Sequence, residues 1–279
     1  EGGLLLTAGV DIQKDRIEVS IWAWGRDKES WLIEHRVIDG DTSREVVWKE
    51  LTEMLSETWS HASGVQMPLK RLAVDSGYAT QEVYSWARRQ HAGLVMAIKG
   101  VERGAALVGM PTAVDITAGG KRLRRGVKVR SVAGGIAKLE LFNNLRKDRP
   151  TDEELAAGES CPAGYVHLPK VDAEYCKQLC SEQLVTTTNR RGYAVREWRK
   201  LRERNEALDC YVYARAAATV VGLDRFEERH WRKLGDSLGG DPAPKTKQQR
   251  PSSLKTRPSR PASKGRGDWL GNRRGNWLK

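Results

Sequence analysis

The sequence predicts an α/β fold, a mixed sheet in which an antiparallel three-stranded meander is extended by parallel strands and flanked by helices. Three observations point to it. Residues 5–38 hold three runs rich in β-branched and aromatic residues, joined by short polar connections. Residues 71–98 read strand, helix, strand, and residues 206–221 form a long helical run with an extended apolar face.

The meander strands are residues 5–12, 16–24 and 31–38, with Gln13-Lys14-Asp15 and Gly25-Arg26-Asp27-Lys28 as hairpin connections. The first is apolar throughout and belongs at the centre of the sheet. In the second, Ile17, Val19, Ile21 and Ala23 alternate with Glu18, Ser20, Trp22 and Trp24, which predicts one apolar face and one half-covered, mixed face. Thr42 or Ser43 is placed to cap a helix running to about Thr58, with Val46, Val47, Leu51, Met54 and Leu55 at helical spacing. Arg71-Leu72-Ala73-Val74-Asp75 is a short strand ending in a carboxylate. A helix over 80–91 and a strand over 94–98 ending at Lys99-Gly100 complete a parallel unit with a right-handed crossover. Residues 101–130 are glycine-rich and basic, and Lys121, Arg122, Arg124 and Arg125 fit either the positive rim of a β-hairpin or a solvated loop. Further on come helices over 136–145 and 173–182, strands around 184–188 and 193–198, and the closing helix, whose apolar face carries Leu208, Tyr211, Val212, Ala214, Ala218 and Val221.

With 48 Lys and Arg against 36 Asp and Glu, the net charge of +12 favours a polyanionic partner, nucleic acid first, although ribosomal and membrane-surface proteins share the bias. From Asp236 to the end there are eleven Lys and Arg against three Asp, among prolines, serines and glycines with almost no aliphatics. Residues 1–235 are therefore expected to form the catalytic domain and 236–279 a basic, disordered tail. The tail ends in two similar pairs, Trp269-Leu270 and Trp277-Leu278, suited to docking on a protein partner. The start of the chain lacks a basic segment followed by an apolar one and reads as an internal cut rather than a signal peptide. No apolar run approaches the ~18 residues that span a bilayer, so no membrane partner is expected. Cys161, Cys176, Cys180 and Cys210 read as buried thiols of a reducing compartment: the spacing of Cys161, His167 and Cys210 is too scattered for a structural zinc site.

Three acids stand where apolar residues belong. Asp11 lies in Ala8-Gly9-Val10-Asp11-Ile12, Asp75 ends its strand, and Asp209 sits near the start of the closing helix. An ionised carboxylate in such surroundings costs several kcal/mol unless paired or metal-bound. Each has a structural alternative: a turn cap for Asp11, a helix N-cap for Asp75, the helix dipole for Asp209. Taken together they fit a ribonuclease H-like arrangement, in which the first strand, the fourth strand and a C-terminal helix converge. Clustered carboxylates call for hard divalent cations, two Mg²⁺ or Mn²⁺ ions, and for phosphodiester hydrolysis. Glu206, three residues before Asp209, shares its helical face, and either acid could be the direct ligand. Lys99 and Arg103 are candidates for the scissile phosphate.

Several segments closely resemble the nuclease region of lambda-like bacteriophage terminase large subunits. They are Thr7-Ala8-Gly9-Val10-Asp11, Trp22-Ala23-Trp24-Gly25, Asp75-Ser76-Gly77, Ile98-Lys99-Gly100 and, most specifically, Arg204-Asn205-Glu206-Ala207-Leu208-Asp209-Cys210. The resemblance covers residues 5–222. It implies a metal-dependent endonuclease cutting concatemeric double-stranded DNA in the host cytoplasm, working with a terminase small subunit and docking on the capsid portal protein. It also implies an N-terminal packaging ATPase that this chain does not contain, since no phosphate-loop motif is present. A transposase or resolvase of the same fold, or a DNA-binding packaging scaffold whose acids are structural, are the other readings.

Overall fold

A strand as apolar as residues 5–12 must be covered on both faces, and the fold is organised around meeting that demand. The computed structural model describes residues 2–114, 126–169 and 171–239. The meander is β1 (Leu5–Ile12), β2 (Arg16–Trp24) and β3 (Ser30–Asp39), followed by α1 (Glu45–Met54) and a small ribbon of β4 (Thr58–Ser60) and β5 (Gln66–Pro68). Then come β6 (Arg71–Asp75), α2 (Thr80–Arg89), β7 (Val95–Val101), β8 (Thr112–Ala113), β9 (Lys128–Ala133) and α3 (Gly134–Asn144). After α4 (Asp152–Ala156), β10 (Val166–His167) and α5 (Ala173–Leu179), a second ribbon of β11 (Glu182–Thr188) and β12 (Ala194–Lys200) leads to α6 (Glu206–Val221) and α7 (Glu228–Ser237).

The main sheet has the order β10-β3-β2-β1-β6-β7-β9-β8, so β1 is internal, as its composition requires. β1–β2 and β2–β3 are antiparallel, and β1–β6, β6–β7 and β7–β9 are parallel. This is the expected mixed sheet, an antiparallel meander extended by parallel strands. Along β1, Ala8, Val10 and Ile12 point to the side where Val47, Leu51, Met54, Val83 and Trp86 of α1 and α2 complete a core. Thr7, Gly9 and Asp11 point to the other side, which α6 covers.

The half-covered face expected for β2 is overturned, because Glu18, Ser20, Trp22 and Trp24 are buried as fully as their apolar neighbours. The cause is α6. Trp22 meets Tyr211 edge-on at 4.9 Å, and Trp24 lies 5.9 Å from the same ring. Trp24 Nε1 donates to Thr7 Oγ1 (2.8 Å), which donates to the Ala214 carbonyl (2.8 Å), so these three buried groups are satisfied in series.

Other boundaries move for local reasons. Thr42 does not cap α1, whose N-cap is Arg44; its hydroxyl donates to the Gln13 carbonyl at 2.7 Å, tying the helix approach to the first hairpin. α1 stops at Met54, and Thr58 already belongs to β4. α5 stops at Leu179, and Glu182 opens β11. α7 and the buried Leu238 carry the folded unit past residue 235, the boundary read from composition. Of the four free cysteines only Cys210 is buried; Cys176 and Cys180 are exposed and Cys161 is intermediate, which corrects the expectation of buried thiols. Among the described residues, no helix is long and apolar enough to cross a membrane. Lys121, Arg122, Arg124, Arg125 and the two Trp-Leu pairs lie outside the described residues.

Candidate metal centre and nucleic-acid cleft

The acids converge because α6 runs against β1 at a distance only glycine permits. A Cβ on Gly9 would stand 1.9 Å from the Cys210 carbonyl oxygen and 2.5 Å from the Ala214 nitrogen. This approach sets Asp209, one residue before Cys210, beside Asp11, two residues after Gly9. Parallel pairing of β1 with β6 matches Val10 to Val74 and brings the next residue of each strand, Asp11 and Asp75, to the same strand ends.

Asp11 is 5 % exposed and accepts a hydrogen bond from Gln13 Nε2 (2.6 Å). Burial, then repulsion from Asp209, Asp75 and Glu206, push its pKa up to about 7 despite Gln13. Asp209 rises to about 6, from burial and the charges of Glu182 and Asp75, with Lys138 opposing. Asp75 is also raised by burial, against backbone hydrogen bonds from Gly77, Ser76 and Gly100. Its Oδ1 is buried with no hydrogen-bond partner among the described residues. Asp75 does not cap α2, whose N-cap is Ala79 at φ 47°. Nor does Asn205, the α6 N-cap, make a capping bond: its Nδ2 donates to Asp209 Oδ2 at 2.7 Å and fixes that carboxylate.

Glu206 is used differently from its neighbour. Its carboxylate is ion-paired with Arg16 and lies 3.5 Å from Arg204 Nε. The same guanidiniums hold the fully buried Glu18, Arg16 at 2.6 Å and Arg204 at 2.7 Å. Burial works to raise Glu18, but His35, Arg16 and Arg204 outweigh it and bring its pKa down to about 2. Glu206 thus has its charge compensated by two arginines, whereas Asp209 has the single ammonium of Lys138 against the charges of Glu182 and Asp75.

Asp209 also lines a cleft of about 560 Å³ bordered by Arg103, Lys138, Arg196, Trp198 and Tyr213. Lys138 Nζ lies 2.7 Å from Glu182 Oε1 and 3.8 Å from Asp209 Oδ1. Its helix is bound to α6 through Arg215, whose Nε donates to Glu140 at 2.7 Å. The β11–β12 ribbon forms another wall. It is closed by a turn in which Asn189 Oδ1 accepts from the nitrogens of Arg191 and Tyr193, and it stacks Trp198 on Phe142 at 5.6 Å. Arg103 lines the cleft. Lys99 is exposed near the end of β7, and although strand alternation directs it to the face opposite Ile98, its charge still works to lower the Asp75 pKa. Sequence reading missed Lys138, Glu182, Asn205 and Arg196. The cue available for the ribbon was Asn189-Arg190-Arg191-Gly192 between two strand-like runs.

The residues fit hard divalent cations. They present several carboxylates at one buried place, raised pKa values that a nearby cation would reverse, and an unpartnered carboxylate oxygen.

The family model described as the endonuclease domain of terminase large subunit gpA matches residues 1–231. The terminase large subunit of Escherichia phage lambda is 32% identical over 228 residues, covering 80% of this chain and 33% of its own length. That of Enterobacteria phage P21 is 31% identical over 217 residues, 77% of this chain and 32% of its own. The chain therefore spans about a third of the length of these curated relatives. Among solved structures, the Mn-bound nuclease domain of the g2p large terminase of bacteriophage SPP1 aligns with 75% of this chain and 84% of its own. Its TM-score of 0.34 and 10% identity are too distant to assign any residue. The match along nearly all of the folded part bears out the resemblance seen in the residues, and this chain belongs to the family of terminase large subunit endonuclease domains.

Proposed function

We propose that the chain is a metal-dependent endodeoxyribonuclease that cuts concatemeric double-stranded DNA during viral genome packaging. Asp11, Asp75 and Asp209 would be its metal-binding acids. The observation that carries this reading is the electrostatic repulsion among three buried carboxylates, brought near one another from β1, β6 and α6, which no arginine relieves. Bound there, two Mg²⁺ or Mn²⁺ ions would neutralise the acids and supply Lewis-acid activation of a water and of the scissile phosphate.

The remaining roles follow from what each residue touches. Gln13 and Asn205 orient the Asp11 and Asp209 carboxylates through single hydrogen bonds. Lys138 favours the ionised form of Asp209. Arg103 and Arg196, which both line the cleft, are suited to hold the DNA backbone near the scissile bond. Glu206 with Arg16 and Arg204 positions the start of α6 rather than binding metal. In this reading Lys99 contributes long-range attraction for DNA, as do Lys121, Arg122, Arg124, Arg125 and the basic tail. The chain would act as one portion of a longer terminase large subunit in the cytoplasm of an infected bacterium, with the small subunit selecting the site. Trp269, Leu270, Trp277 and Leu278 are the proposed contact with the portal.

The test is cleavage of supercoiled plasmid by the purified chain in Mg²⁺, Mn²⁺ or EDTA, beside Asp11→Asn and Asp209→Asn. Nicking that needs the metal and disappears in both folded variants is expected. DNA binding without cleavage in any metal would instead favour a packaging scaffold.

A further inference from the structure

At the far edge of the sheet from the acids, the fold assembles a second set of ligating side chains. Glu29 immediately precedes β3, and β10 pairs with β3 in parallel, matching Val166 to Ser30 and His167 to Trp31. This pairing, with Ser30 N donating to the Tyr165 carbonyl (3.0 Å), sets the His167 ring beside the Glu29 carboxylate, Nε2 to Oε1 at 2.5 Å. Cys161 joins them because residues 162–165 turn back, with Tyr165 N donating to the Pro162 carbonyl (3.0 Å) and Gly164 at φ +76°. One ligand atom from each of Glu29, Cys161 and His167 then lies within 4.8 Å of the other two, and all three residues are partly buried.

We propose that Glu29, Cys161 and His167 form a three-ligand site for a thiophilic divalent cation, Zn²⁺ by its donor set. A sulfur, an imidazole nitrogen and a carboxylate oxygen suit zinc and disfavour magnesium, and a four-coordinate ion would complete its shell with water or another donor. The imidazole is held for the task. It stacks on Trp31 at 4.8 Å and 6° between planes and meets Tyr165 edge-on at 4.8 Å. Such packing fixes a ligand's orientation before any ion arrives. The role of the ion would be mechanical. Between α3 and α5 the chain makes a long excursion whose described regular structure is the five-residue α4 and the two-residue β10. Zinc bridging Cys161 and His167 to Glu29 would fasten that excursion to the sheet edge without involving the nuclease reading.

Cobalt distinguishes this site from the acidic one, since only a thiolate ligand gives an intense sulfur-to-cobalt charge-transfer band. The full chain, stripped with chelator, is titrated with Co²⁺ and then Zn²⁺, alongside Cys161→Ser, His167→Gln and Asp11→Asn. The expected result is a band saturating at one equivalent and erased by Zn²⁺. It should be retained in Asp11→Asn, lost in Cys161→Ser, and in His167→Gln require at least tenfold more Co²⁺. The proposal is overturned by absence of the band in the unaltered chain, by its persistence in Cys161→Ser, or by an unchanged titration in His167→Gln. Should Cys161→Ser fail to fold, His167→Gln and Glu29→Gln decide by the same criterion.

Discussion

One ligand cluster lies where α6 covers the central strands of the sheet and the other at its β10 edge, and the two solve opposite problems. Around Asp11, Asp75 and Asp209 the charges are alike, buried and poorly compensated, so the folded chain spends stability to hold them together. Around Glu29, Cys161 and His167 an acid already has an imidazole at 2.5 Å, and the cluster lies in a partly exposed edge. The difference teaches that a mixed donor set can pair its own groups, as Glu29 pairs with His167 while burial and Glu29 push the Cys161 thiol up, whereas clustered carboxylates leave their repulsion for a cation to relieve.

The contrast can be broken most forcefully at Asp11. Asp11→Asn should lower plasmid cleavage by more than the ~10–100-fold expected for losing a residue that only supports a ligand. In EDTA the same variant should melt higher than the unaltered chain above neutral pH. The sign follows from linkage. A carboxyl whose pKa rises from 3.8 unfolded to about 7 folded favours the folded state while protonated, and that contribution is lost as pH climbs through 7. Melting curves from pH 5 to 8 that run parallel for the two proteins would contradict it. Divalent cations should show the reverse trend, binding more tightly as pH rises through 6 to 7.

Gly9→Ala should destabilise the chain by ~3 kcal/mol, because the added methyl meets main-chain atoms that cannot rotate away. Denaturant titration checks this, and a loss below ~1 kcal/mol would mean that α6 can shift freely. Lys138→Met should move the pH dependence of cleavage upward, since the ammonium favours ionised Asp209; an unchanged profile would remove Lys138 from the site. The smallest effect is expected for Arg204→Ala, about 1 kcal/mol of stability, because Glu18 keeps Arg16 and His35 as partners.

The same comparison explains what could be read in advance. Asp11, Asp75 and Asp209 were legible because each interrupts an apolar run, and the strand and helix order places such interruptions together. The sequence offers Cys161 and His167 as zinc ligands together with Cys210, a set too scattered to stand; their partner is instead Glu29, 138 positions before His167, which they meet only through the two-residue pairing of β10 with β3. Lys138 and Glu182 were hidden for a related reason: charged residues on a helix or ribbon look solvated until a tertiary neighbour is known. The double-sided burial of β2 was missed because Trp22 and Trp24 suit a half-wet face equally well, and only α6 decides. Glu206 and Asp209 could not be ranked from helical spacing alone; the arginines that claim Glu206 come from β2 and from the segment before α6.

The contact at Gly9 has a consequence for how such a domain can diverge. Side chains elsewhere in the core can be exchanged for others of similar volume, and the packing readjusts by tenths of an ångström. Where β1 meets α6, main chain rests on main chain, so as long as Gly9 is kept the interval between the two acids is gauged by peptide groups that substitutions elsewhere leave in place. Sequence drift can therefore rewrite most of this interior while the ruler that spaces the carboxylates stays the same length.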